Sequence, residues 1–237
     1  MTQNIYDRDD FFAGYSRLPR SVKGLRAAPE WPSLRAMLPN LRGLRVLDLG
    51  CGFGRFCRWA RQNGAAQVLG LDVSRNMLAR ARADTDDDRI SYSRADLERV
   101  KLPRASFDLV YSSLAFHYLK NLERLMSQIH QSLCPRGSLV FSVEHPIYTA
   151  PSKPKWTRKT WPVDGYLNEG PRTTDWLAKG VIKQHRTLAT YINMLLALGF
   201  SISKIEEWAP TRQQIKAEPT WALERERPSF LLVGAKC

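Results

Sequence analysis

Asp48 stands two residues ahead of the first of three closely spaced glycines in the run Val46-Leu47-Asp48-Leu49-Gly50-Cys51-Gly52-Phe53-Gly54. Glycines at this spacing permit a tight turn and let bare backbone approach a ligand. A diphosphate-binding turn wants GxGxxG, with the phosphates held at a helix N-terminus. Here Arg55 stands where that third glycine would be, and the glycines run GxGxG instead. A carboxylate at position 48 repels a diphosphate and suits a cation. Two more acids, Asp72 and Asp96, close later apolar runs. Histidine, the natural base near neutral pH, occurs at positions 117, 130, 145 and 185, and Glu144 directly precedes His145. His130 falls mid-helix and reads as structural.

These residues need a scaffold, and the pattern around them supplies one. Apolar strands are expected at 45–50, 66–72, 90–96, 107–112 and 138–143. Helices are expected at 53–62, from the Ser74 cap to about residue 83, and at 122–133. Strand and helix alternate, and the strands are nearly continuous apolar runs, which argues a parallel, doubly wound sheet covered on both faces. Residues 146–184 break this rhythm with five prolines and with Trp156, Trp161 and Trp176, and read as an inserted lid. A helix from Leu188 to the Gly199 stop and strands at 200–206 and 229–235 complete the chain. One domain is expected: an N-terminal helical lid (1–40), a core (41–145), the insert (146–184) and a C-terminal helix and hairpin (185–237).

The strand, the acid, the GxGxG turn and the following helix together resemble motif I of the class I S-adenosylmethionine-dependent methyltransferases. The resemblance covers about residues 44–145. It implies a Rossmann-like, doubly wound, seven-stranded α/β sheet, mostly parallel with a reversed last strand. It also implies S-adenosylmethionine as cofactor and S-adenosylhomocysteine as product. Asp48, Gly50, Cys51, Gly52 and Gly54 would then form the cofactor turn. Asp72 would accept from the ribose hydroxyls, with Val73 beside it, and Asp96 and Leu97 would meet the adenine. Ser112, at the end of the fourth strand, falls on the cofactor side. Phe11-Phe12-Ala13-Gly14-Tyr15-Ser16-Arg17 resembles the lid of small bacterial methyltransferases, in which a Tyr and an Arg reach the cofactor's carboxylate, so Tyr15 and Arg17 are expected there.

The acceptor site is expected over the C-terminal ends of strands four and five. His145, His117 and Glu144 are the catalytic candidates there, with His145 narrowly preferred as general base. Tyr148, Trp161 and His185 are candidate acceptor contacts. The expected acceptor is a small molecule methylated on oxygen or nitrogen, and the cationic side chains of the insert admit an anionic one. An RNA acceptor is the alternative favoured by the net charge of +13. Against it, Ser112-Ser113-Leu114-Ala115 stands where enzymes methylating flat exocyclic amines often carry an NPPY-like tetrapeptide. A cofactor-binding protein without transferase activity is the third reading. No apolar stretch approaches membrane-spanning length, the first residues do not read as a secretory signal, and the four cysteines fit no zinc site. A cytoplasmic setting is the default expectation, with monomer and dimer both open.

Overall fold

The computed structural model describes residues 3–155, 157 and 160–237; Trp156, Arg158 and Lys159, assigned above to the insert, lie outside the described residues. Three short helices come first: α1 (Asp9–Ser16), α2 (Pro19–Lys23) and α3 (Trp31–Met37). Then β1 (Arg45–Leu49), α4 (Arg55–Gln62), β2 (Gln67–Asp72), α5 (Arg75–Ala83), β3 (Ile90–Arg94), β4 (Phe107–Ser113), α6 (Leu122–Ser132) and β5 (Leu133–Glu144) build the core. The insert carries α7 (Pro146–Thr149) and a hairpin of β6 (Gly170–Thr174) with β7 (Val181–His185). The chain ends with α8 (Leu188–Ala197), β8 (Ser201–Trp208), α9 (Arg212–Ala217) and β9 (Phe230–Lys236).

The main sheet has seven strands in the order β3-β2-β1-β4-β5-β9-β8. The pairs from β3 to β5 are parallel, and β9 runs antiparallel to both β5 and β8. This is the doubly wound sheet with a reversed last strand. Its inner strands are largely buried because both sides are covered, while the edge strands β3 and β8 are mostly exposed. Leu47, Leu49 and Val110 pack with α6 and α8 through Leu125, Ile129, Tyr191 and Leu195. Val46, Leu109 and Tyr111 face the opposite way, onto Trp31, Phe56, Cys57 and Leu78. Helix starts follow side-chain chemistry: Ser74, Asn121 and Thr187 each accept from a backbone N–H in the first turn of α5, α6 and α8.

The structure departs from the sequence reading at α9, where no element was expected, at β5 and in the insert. β5 begins at Leu133 rather than Ser138, because Phe107 pairs with Leu133 before the register jumps to Leu109 with Ser138, and the intervening Cys134–Gly137 segment bulges with Arg136 at φ 65°. The insert, expected as an irregular lid, contains a two-stranded hairpin. Its second strand buries Val181, Lys183 and His185 while Ile182 faces outward.

The N-terminal segment and this hairpin interlock. The Gln3 side-chain amide donates to Gly180 O (2.8 Å) and accepts from Ile182 N (2.9 Å). Arg8 donates to Lys179 O, and Phe11 meets Trp176 edge-on at 5.5 Å between ring centres. Asp7 reaches the start of α5, accepting from Ser74 Oγ (2.6 Å) and Asn76 N (3.1 Å). A third cover comes from residues 209–229, tied to the N-terminal segment by Gln214 Nε2 donating to Pro29 O (2.9 Å).

Candidate active site

The C-terminal ends of β1, β2, β4 and β5 open into a cavity of about 460 Å³ roofed by these three covers. One half is built on the glycine turn. Gly50, Gly52 and Gly54 all have positive φ (76°, 52° and 67°), which L-residues with a side chain rarely adopt. A Cβ on Gly50 would stand 2.5 Å from that of Ala115, and one on Gly54 would collide with the Tyr92 ring. A Cβ on Gly52 would meet nothing within 4 Å, so the turn presents open backbone there. Asp72 at the end of β2 is aimed by two backbone donors, Gly52 N to Oδ2 and Ser74 N to Oδ1, both at 2.9 Å. Burial pushes its carboxyl above the ordinary carboxylate range, and those two hydrogen bonds work against the rise. Each oxygen keeps lone pairs for a further donor. Val73 and Leu97 line the same half.

Asp48 does not line this cavity. It lies beneath the turn, 2% exposed, beside a smaller space of about 100 Å³ that Cys51 also lines. Burial pushes its carboxyl up to about 7, opposed by a hydrogen bond from Cys57 Sγ at 3.2 Å. The acid that meets the large cavity at the turn is therefore Asp72. Tyr15 lines both spaces, but Arg17 is exposed on the outside of the lid. The arginine at the turn is Arg20, three residues further on in the next helix, with Nη2 bound to both oxygens of the buried Glu30 (2.8 and 3.0 Å). The sequence pattern missed it because Pro19 starts a new helix and rotates the face presented inward.

The other half of the cavity is aromatic, with Tyr118, Tyr148, Trp176, Trp208 and Trp221 in its wall. His117 and Glu144 stand there together. The His117 ring is buried, and its Nδ1 accepts from Glu144 N at 3.3 Å, which leaves the hydrogen of the neutral ring on Nε2. Burial drives its pKa down to about 4; the Glu144 carboxylate resists this, while Lys183 and Arg186 add to it. Glu144 Oε1 accepts from Lys183 Nζ at 2.5 Å. Its Oε2 is buried with no hydrogen-bond partner among the described residues. Glu224 also lines this half, held by Arg227 (2.9 Å) and by Ser229 Oγ. Trp221, Glu224 and Arg227 recur three apart, a helical spacing in a stretch that carries no motif.

Several expected site residues lie elsewhere, each for a visible reason. His145, preferred above as the base, has both ring nitrogens engaged away from the cavity: Nδ1 accepts from Ile147 N (3.1 Å), capping α7, and Nε2 meets Glu207 Oε1 (2.9 Å). His185, expected at the acceptor, is a fully buried strut whose Nδ1 bonds Thr149 Oγ1 and whose Nε2 bonds Tyr166 O, both at 2.8 Å. Ser112 spends its hydroxyl on Leu49 O (2.7 Å), tying β4 to the end of β1. Asp96 accepts from Glu98 N (3.0 Å) in the turn after β3, so Leu97 rather than Asp96 faces the cavity. Trp161 backs the wall, stacked on Tyr148 at 5.4 Å with Nε1 donating to Ile147 O (3.0 Å). Gly54 shapes the turn without lining the cavity. Among the described residues no helix is long and apolar enough to cross a membrane, and no group of three or more His, Cys, Asp or Glu could hold a metal ion.

Comparison with known proteins fits this geometry. A methyltransferase-domain family model matches residues 47–141, the span from β1 into β5. The crystal structure of an S-adenosylmethionine-dependent methyltransferase from Mesorhizobium loti is 58% identical and superposes with a TM-score of 0.88, covering 90% of this chain and 100% of that one. A solved structure from Listeria monocytogenes is 38% identical with a TM-score of 0.82, covering 89% and 98%. A malonyl-[acyl-carrier protein] O-methyltransferase from Enterobacter lignolyticus is 37% identical over 62% of this chain, but the match spans only 54% of that protein's length. The site suits S-adenosylmethionine on its own residues. It offers bare backbone at Gly52, a carboxylate at Asp72 with acceptor capacity for a diol, aliphatic walls at Val73 and Leu97 for a flat ring, and a guanidinium at Arg20 for a carboxylate. The chain belongs to the S-adenosylmethionine-dependent methyltransferases.

Proposed function

We propose that this enzyme methylates an oxygen or nitrogen that bears its own hydrogen, on a small acceptor enclosed in the aromatic half of the cavity. The carrying observation is Glu144, which lines that half: its Oε2 is buried and has no hydrogen-bond partner among the described residues. An unpaired buried acceptor is costly, and an O–H or N–H on the acceptor satisfies it. A protein that merely held the cofactor would need no cavity running on from the glycine turn to Trp208 and Trp221.

Gly52, Asp72, Leu97 and Arg20 hold the cofactor, which supplies an electrophilic methyl group on a sulfonium sulfur. The rest falls to the chain. The three covers exclude water and align the acceptor. Glu144 Oε2 takes the hydrogen bond, and then the proton, of the attacking group. His117, neutral with its hydrogen on Nε2, is a donor that positions rather than a base. Among the described cations of the insert none lines the cavity, and Lys183 is held on Glu144; Arg227, outside the insert, is held on Glu224. We therefore assign a neutral or cationic acceptor.

Metabolite extract incubated with the enzyme and cofactor bearing a trideuterated methyl group is expected to yield a small product carrying that label. Glu144→Gln is expected to cut its formation about 100-fold or more, the scale of a lost general base, with cofactor affinity little changed. Label appearing only in RNA, or full turnover by Glu144→Gln, counts against the assignment.

A further inference from the structure

The chain carries a net charge of +13, yet its cavity is acidic. Among the described lining residues the only lysine or arginine is Arg20, which sits at the glycine turn bound to Glu30. In the aromatic half the ionisable lining groups are Glu144, Glu224, the neutral His117 and tyrosines. These residues, with Tyr148, Trp176, Trp208 and Trp221, all lie outside the span matched by the methyltransferase-domain family except His117 and Tyr118. They belong to this chain's particular chemistry rather than to the shared cofactor core.

The wall shows which charge it is polarised to hold. The Lys183 ammonium lies on Glu144 and over the rings of Trp176 (5.2 Å) and Tyr148 (6.0 Å). The Arg227 guanidinium lies over Tyr148 (4.3 Å) and Trp161 (4.2 Å) while bound to Glu224. Both cations are held by carboxylates of residues that line the cavity and by the rings of Tyr148 and Trp176, which line it, and of Trp161, which backs it. Aromatic faces are the negative side of the ring quadrupole and attract cations. A carboxylate acceptor would meet two acids and several such faces. A hydroxyl would gain one hydrogen bond. An ammonium gains that bond, the charge of Glu144 and the ring faces together.

Resting on the reading of this cavity as the acceptor site, we propose that the acceptor is an amine that enters as its ammonium ion and is methylated on nitrogen. The ammonium gives one proton to Glu144 Oε2. The freed lone pair on nitrogen forms a bond to the methyl carbon as that carbon's bond to the sulfonium sulfur breaks, the electron pair remaining on sulfur. The products are an N-methylated ammonium and a neutral thioether, and the proton on Glu144 passes to water.

The test uses the whole enzyme saturated with S-adenosylhomocysteine, with the fluorescence of the cavity tryptophans as readout. Benzylamine, benzyl alcohol and phenylacetate are titrated as probes of one shape and three charges. Benzylamine is expected to bind about tenfold or more tighter than phenylacetate, with benzyl alcohol between them. Glu144→Gln and, separately, Glu224→Gln are each expected to narrow that gap. Phenylacetate binding as well as benzylamine, benzyl alcohol matching it, or no benzylamine binding at all overturns the amine assignment while leaving the methyltransferase site intact. Failure of S-adenosylhomocysteine itself to bind strikes instead at the reading of the site.

Discussion

The two halves of the cavity are held by different kinds of bond. Around the glycine turn the ties are peptide groups: Gly50 N and Cys51 N donate to Leu71 O (2.8 and 3.0 Å), and Gly52 N reaches the Asp72 carboxylate on the neighbouring strand. Strand register alone, with Leu49 opposite Leu71, brings them together. The aromatic half is gathered from segments near residues 6, 118, 148, 176, 208 and 221, and side chains hold it: Gln3 across to the hairpin, His145 to Glu207, Lys183 to Glu144. A site made of backbone fixes one ligand and changes little with side-chain substitution, except at its glycines. A site made of side chains on covers can be rebuilt for a new acceptor without disturbing the first.

That contrast is most easily broken at Gly50. Gly50→Val adds a side chain at φ 76° against Ala115, so strain and overpacking of about 1–3 kcal/mol each fall on the turn. S-adenosylhomocysteine affinity, measured by calorimetry, is expected to fall about 100-fold or more. A loss under tenfold means that the backbone is not the binding element.

A second contrast lies in pH. His117, in the aromatic half, is lowered from 6.5 to about 4 by burial. Between those values the unfolded chain takes a proton that the folded one refuses. Relative to His117→Gln, the wild type should therefore lose about 3 kcal/mol of stability as pH falls from 6.5 to 4. Asp48, in the glycine half, is raised from 3.8 to about 7, again by burial. There the folded chain keeps the proton that the unfolded one gives up. Relative to Asp48→Asn, the wild type should lose about 4 kcal/mol as pH rises from 4 to 7. Thermal unfolding of the three proteins across this range checks both slopes, and slopes of the same sign would be inconsistent with the buried states described. The smallest effect is at Asp72, where Asp72→Ala is expected to weaken cofactor binding by about 1–3 kcal/mol, the loss of hydrogen bonds to a charged group. Unchanged affinity would remove its assigned role.

The glycine half was legible because its determinants are consecutive in the chain. The apolar run of β1, the turn, and Asp72 ending β2 each announce themselves within ten residues, and parallel pairing does the rest. The aromatic half was not, because its contacts join distant segments. His145 and His185 have the residue type of a base, but Glu207 and Tyr166, which occupy their rings, lie 62 and 19 residues away. Arg20 was hidden by a helix break at Pro19, and Trp221 and Glu224 by a stretch with no strand or motif to draw notice. β7 was hidden because its hydropathy runs against its burial: Ile182 faces outward while Lys183 is buried.

Gln3 carries a kinetic consequence. One amide answers to two backbone atoms of the hairpin, Gly180 O and Ile182 N, at the surface, so parting the two covers breaks two hydrogen bonds together and leaves their ends to water. Arg8 on Lys179 O and Phe11 against Trp176 add to the same tie, so the N-terminal segment and the hairpin are joined at several points along one seam. That seam borders the cavity through Gln3, Tyr6 and Trp176, so the expected consequence of loosening it with Gln3→Ala is faster release of bound S-adenosylhomocysteine.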